Sequence, residues 1–162
     1  LLLLISGGHS QYLSVQGLGK YKRLGTTIDD ALGEAFDKTG KILGLEFPGG
    51  AKIEILASKG NPNKYDLPKP IFNKGGCNLS FAGLKTAVLK ITKEIKTDQE
   101  KFDLAASFQK TVEKILYEKT KIAFTEFEKQ ITTKEKIFVV AGGVASNKNI
   151  RNMLNNLCKE ND

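Results

Sequence analysis

Residues 1–24 read LLLLISGGHSQYLSVQGLGKYKRL, and their apolar patterning decides the class of fold. Leu1 to Ile5 is an unbroken apolar run, the pattern of a strand covered on both faces. Ser6-Gly7-Gly8-His9 is a turn. Ser10 to Gln16 alternates apolar and polar side chains as a second strand. Gly17-Leu18-Gly19 turns the chain into a short third strand, Tyr21 to Leu24. Together these predict an antiparallel meander. Near the other end, Ile137 to Ala141 repeats the opening pattern: a buried strand that runs into a glycine pair, Gly142-Gly143.

Helices fill the interval. Thr27 or Asp29 can cap the first, whose apolar face is Ala31, Leu32, Ala35, Phe36, Ile42 and Leu43. Gly44 and then Pro48-Gly49-Gly50 stop it, and a second helix runs from Ala51 to Ser58 with Ile53, Leu56 and Ala57 inward. Gly60 to Asn78 holds three prolines and two adjacent glycines, so it reads as a long loop, of the kind that is often functional or mobile. Leu79 to Ile95 is a short extended piece and then a helix. Asp98 to Ile131 is a longer helical stretch with Ala105, Phe108, Val112, Ile115, Ile122 and Phe127 on one stripe. Phe124 lies off that stripe and predicts a break near Thr120. Ser146 or Asn147 caps a last helix with Ile150, Met153, Leu154 and Leu157 inward. Strands, then helices, then a strand and a helix make an α/β lobe.

The chain has 162 residues, a one-domain length that buries about two-thirds of the unfolded surface. With 40% hydrophobic and 27% charged residues, it is neither a disordered chain nor a coiled coil. No apolar run reaches the ~18 residues of a membrane-spanning helix. LLLLI has no basic segment before it and no small-residue cleavage pattern after it, so it does not read as a signal peptide. The chain starts without Met inside an apolar strand, which predicts a piece of a longer protein. Cys77 and Cys158 have no metal-like spacing and fit a reducing compartment; His9 alone cannot build a multi-histidine metal site. The net charge of +7 favours a polyanion such as RNA, or simply solubility; Arg23 and Arg151 are the only arginines, so the better phosphate fork is scarce.

Both glycine pairs follow buried strands, where missing side chains let a ligand approach the backbone and let N–H groups point at an anion. The second pair leads directly into a helix N-terminus, which favours phosphate. Asp30, Glu34 and Asp37 share a helical face by spacing. Acids in the first turn support the helix dipole. That account suits Asp37 less well, and a carboxylate there can accept hydrogen bonds from sugar hydroxyls. On spacing alone Glu54 is a solvated helix residue, Asn147 a helix cap and Lys85 a solvated lysine. No Ser–His–Asp or Cys–His arrangement is present.

Four segments in order, LLISGGHSQYLSV, GTTIDDALGEAFDKTGKILGLEFPGG, LSFAGLKTAV and VVAGGVASNKNIR, resemble the bacterial tRNA threonylcarbamoyladenosine transferases, the TsaD family, once labelled O-sialoglycoprotein endopeptidases. The resemblance covers essentially the whole chain. It implies the second lobe of an actin/sugar-kinase/Hsp70-like, ribonuclease-H-like α/β fold, spanning residues 1–162 and truncated at both ends. It also implies transfer of a threonylcarbamoyl group from threonylcarbamoyl-AMP to N6 of the adenosine just after the anticodon of tRNA. By the same resemblance Leu4, Ile5, Ser6, Gly7 and Gly8 form the substrate loop; Asp37, Gly50 and Asn147 are single substrate or nucleotide contacts; and Glu54 stands where some members place another acid. Implied partners are tRNA, a paralogous subunit of the same fold and a P-loop ATPase, in the cytoplasm and away from membranes.

The family's divalent metal, iron or zinc, is held by a His-x-x-x-His motif before this segment and an Asp-Asn motif after it, and neither is in this chain. This chain alone is therefore expected not to catalyse the transfer, and the sequence nominates no catalytic residue. Ala51 replaces the usual proline after the PGG, and Gly40 sits inside the first helix at a cost of about 1 kcal/mol against alanine; both fit relaxed constraint. Two alternatives stay open: a non-catalytic fragment that binds nucleotide or a partner, and an ATPase or phosphotransferase of the same fold. The old protease label has no supporting constellation.

Overall fold

A computed structural model describes residues 1–131 and 135–161; Asp162, the last residue of the polar tail, lies outside them. Three strands form the meander: β1 (Leu2–Ile5), β2 (Ser10–Gly17) and β3 (Lys20–Thr26). A fourth, β4 (Val139–Ala141), lies parallel to β1 and gives the sheet order β3-β2-β1-β4. Five helices follow the chain: α1 (Leu32–Ile42), α2 (Gly49–Ala57), α3 (Ala82–Thr92), α4 (Asp98–Glu128) and α5 (Lys148–Lys159). The result is a mixed α/β fold around one core. Phe36 of α1 meets Phe108 of α4 edge-on there, with ring centroids 5.2 Å apart. Among the described residues no helix is long and apolar enough to cross a membrane.

Several sequence expectations need correction. Neither Thr27 nor Asp29 caps α1. Ala31 holds the cap position, and the helix's first amides find acceptors on the sheet: Leu32 N–H donates to Ser10 Oγ at 2.8 Å and Gly33 N–H to the Ser6 carbonyl at 3.0 Å. Asp29 instead serves α3. Its carboxylate accepts from the Ser80 hydroxyl and from the Phe81 and Ala82 amides, so a residue before one helix caps another. Helix α2 starts two residues earlier than predicted, because the Asp37 carboxylate accepts from Gly49 N–H at 2.8 Å.

Helix α4 is continuous over 31 residues, with no break at Thr120. Phe124 leaves the main stripe because it packs edge-on against Phe138, centroids 5.0 Å apart. Thr120 faces the sheet and bonds the buried Tyr12 hydroxyl at 2.8 Å. The strand predicted over 137–141 shrinks to three residues and is not buried: Ile137 is 62% and Val139 49% exposed. The reason is position, since β4 is an edge strand whose one partner is β1. Gly40 is not slack either. A Cβ there would lie 2.9 Å from Gly49 Cα, so the glycine lets α1 and α2 cross closely.

The 60–78 loop is laid along α4 and tied to it. Asp103 accepts from Asn61 N–H at 2.7 Å, Ser107 Oγ from Tyr65 N–H at 3.1 Å, and the buried Lys119 donates to the Lys74 and Gly76 carbonyls at 2.6 and 3.2 Å. Asp103's bonds to Asn61 and Gln99 hold its carboxyl below the usual range, while burial pushes the Glu113 carboxyl up. The sign for Glu113 follows. Its protonated form suits the fold, so its contribution is present at acid pH and is lost as pH rises through the raised folded value. Glu113→Gln should therefore stabilise the protein at pH 7.5, with the advantage shrinking towards pH 4. Paired urea midpoints for the two proteins at both pH values measure this; an advantage that grows at pH 4 would contradict it.

Candidate functional site

Where β1 ends, Ser6 builds a tight turn: its hydroxyl oxygen accepts from Gly8 N–H at 3.3 Å and His9 N–H at 3.0 Å. Behind β4, Gly142 (φ 105°) runs so close to β1 that a Cβ would overlap the Ile5 carbonyl. A short 3-10 turn, Gly143–Ser146, then leads to α5. The two glycine pairs thus come to the same end of the sheet, beside the start of α1 and the start of α2.

A cleft of about 320 Å³ opens between them, lined by Gly7, Phe36, Asp37, Pro48, Gly50, Glu54, Gly143 and Asn147 among others. Five of the nine residues nominated from the sequence meet here: Gly7, Asp37, Gly50, Glu54 and Asn147. The other four, Leu4, Ile5, Ser6 and Gly8, do not line it. Leu4 and Ile5 lie in β1, paired with Gln11 and Ser10 of β2, and Ser6 and Gly8 are bonded within their own turn. Gly143, from the second glycine pair, joins the five that do, and Gly33, Phe36, Pro48, Ala51, Val144 and Ser146 line the cleft without having been nominated. Spacing gave a signal for one of these, since Gly33 precedes Asp37 by four residues, one helical turn.

The glycines around the cleft fall into two kinds. Gly33, Gly49 and Gly142 are forced by neighbouring backbone. Gly7 and Gly143 have no atom within 4 Å of where a Cβ would stand, and Gly50 has one, at 4.0 Å. Packing does not demand glycine at these three. The space their side chains would fill is the cleft itself.

The carboxylates have structural partners. Asp37 holds Gly49 N–H, and Glu54 Oε1 accepts from Lys148 N–H, the first amide of α5, at 2.8 Å. Asn147 caps the same helix, its Oδ1 accepting from Ile150 N–H at 3.0 Å. The expectation of a helix N-terminus open to phosphate is thereby corrected: the 3-10 turn precedes α5, and Glu54 and Asn147 already serve its first amides. Asp30 and Glu34 both bond Lys38 at 2.8 Å, while Asp37 alone of the three predicted acids faces the cleft. Among the described residues, no three His, Cys, Asp or Glu side chains converge as metal ligands.

The profile of the tRNA N6-adenosine threonylcarbamoyltransferases matches residues 1–162. The chain belongs to the TsaD family. It is 76% identical over 162 residues to the tRNA N6-adenosine threonylcarbamoyltransferase of Pelagibacter ubique, covering 100% of this chain and 45% of that protein. It is 54% identical over 163 residues to the enzyme of the same name from Rickettsia massiliae, covering 98% and 47%. For the Rickettsia bellii protein the figures are 52% over 161 residues, 98% and 47%. The chain therefore spans about half the length of the TsaD relatives it matches.

Proposed function

We propose that the complete protein makes threonylcarbamoyladenosine in tRNA, and that residues 1–162 supply one wall of its nucleotide cleft. In this reading the chain is one lobe of an actin/sugar-kinase/Hsp70-like fold, and a second lobe closes the site. The observation that carries the reading is the cleft: three glycines with no packing reason and two carboxylates converge at the ends of parallel strands β1 and β4. Crevices at the carboxyl ends of parallel strands are where α/β sheets take nucleotides. The sheet order, an antiparallel meander flanked by a parallel strand, supports the lobe assignment.

The transfer joins N6 of adenosine to the carbamoyl carbon and breaks the bond from that carbon to the phosphate oxygen. AMP leaves, and N6 gives up a proton. Asp37 is placed to accept from a ribose hydroxyl, the glycines admit the adenylate, and Asn147 offers an amide to the nucleotide. The described residues do not fit a metal, so a divalent ion would be held by other parts of the complete protein. Once bound, such an ion acts as a Lewis acid on a carbonyl or phosphate oxygen. For tRNA, the β2–β3 hairpin presents Lys20, Lys22 and Arg23 beside the exposed Tyr21, in a stretch, residues 1–28, without one carboxylate. A paralogous subunit, a P-loop ATPase and a cytoplasmic setting complete the proposal.

The test incubates the full-length protein and its partner subunits with threonylcarbamoyl-AMP and unmodified tRNA, then digests the tRNA to nucleosides. Threonylcarbamoyladenosine at the position after the anticodon, with tRNA affinity falling steeply with salt, is the expected result. ATP turnover without any change in the tRNA would overturn the proposal.

A further inference from the structure

The geometry points to Gln109 as a positioning residue that fixes which way the Asn147 amide faces in the nucleotide cleft. Gln109 is on α4, 2% exposed, and is not part of the cleft lining; it borders a separate cavity on the far side, with Ala57, Gly60 and Glu113. Its Oε1 accepts from Asn147 Nδ2 at 2.9 Å in a buried bond. It can act on a ligand only through Asn147. The inference rests on Asn147 contacting the nucleotide, as proposed above.

An amide side chain is nearly symmetric in shape, so hydrogen-bond partners decide which end is oxygen. On one side of Asn147 stands the Ile150 N–H, which can only donate. On the other stands the Gln109 carbonyl oxygen, which can only accept. A flipped Asn147 would set N–H against N–H and oxygen against oxygen. Glu113 stands four residues on, one helical turn from Gln109, and borders the same cavity. The direction runs from Gln109 through Asn147 to the start of α5. The cleft is left with the second N–H of Nδ2 and the second lone pair of Oδ1 in fixed places, the supporting arrangement a pre-organised site requires.

The experiment uses the full-length protein with AMP as the probe. Gln109→Met keeps length and removes the hydrogen bond to Asn147. Asn147→Ser keeps an acceptor for the Ile150 amide and removes the side-chain N–H. Each should weaken AMP binding about tenfold, as loss of a supporting partner typically does, with little change in Tm. The double variant should bind no worse than the weaker single one. Gln109→Glu combined with Glu113→Gln preserves net charge, keeps an acceptor facing the Asn147 amide and should recover most of the affinity lost in Gln109→Met. Additive losses in the double variant, or an unchanged Gln109→Met beside a weakened Asn147→Ser, would overturn the positioning role alone. An unchanged Asn147→Ser would remove the nucleotide contact at Asn147, and the positioning role with it.

Discussion

Gly142→Ala should leave little folded protein. At φ 105° an L side chain is strained by about 1–3 kcal/mol before any contact is counted. The added Cβ would also overlap the Ile5 carbonyl and stand 3.2 Å from the Ser6 amide nitrogen. Both neighbours are backbone of the central strand β1 and of the turn that follows it, so neither can swing aside as a flexible side chain would. The combined loss should exceed about 4 kcal/mol, the range reserved for severe core or backbone conflicts. Gly143→Ala is the matched control: its Cβ meets nothing within 4 Å, so stability should be nearly unchanged. Thermal melts and soluble yield of the two variants give the comparison. A Gly142→Ala protein that melts with the parent would mean that β1 and the 142–147 segment do not approach as described.

Asp37→Asn should cost about ten- to a hundredfold in adenylate affinity, the scale of one charged hydrogen bond, and almost nothing in stability. The split follows from the two oxygens. One accepts from Gly49 N–H and starts α2; an asparagine oxygen can do the same. The asparagine NH2 group must then occupy the other position, so a ribose hydroxyl that donated to the carboxylate meets a donor instead. Asp37→Ala removes both functions and should in addition lose about 1 kcal/mol, the usual worth of a helix cap. Calorimetric titration with AMP and urea unfolding of both variants separate the roles. Equal affinity in Asp37→Asn and the parent would remove the sugar contact and leave Asp37 a cap alone.

Locally patterned features were legible in the sequence. The meander was visible because alternation over Ser10 to Gln16 and glycines at 17 and 19 act within a few residues. The inward faces of α1 and α5 were visible because helical periodicity is equally local. What escaped depends on distant partners. Asp29 looks like a cap for the helix beside it, and its acceptors face amides 52 and 53 positions away. Phe124 looks like a break until Phe138 is placed against it. The five apolar residues before Gly142 look like a buried strand, yet only the last three form one, at the sheet edge. At the site, residue type pointed to Asp37 and glycine pairing to the loop that holds Gly7, whereas Gly50, Glu54 and Asn147 came only from the family resemblance. These signals could not show that the carboxylates were also holding helices, nor that Gln109 stood behind Asn147.

The clasp between Glu54 and the first amide of α5 spans 94 positions, whereas that between Asp37 and Gly49 spans 12. On the ribosome the near side of the cleft can therefore assemble early, while the far side waits until the start of α5 has emerged. Loop closure over the longer span is also the more costly in chain entropy. The two sides of the cleft thus differ in how much chain must be in place before each can close.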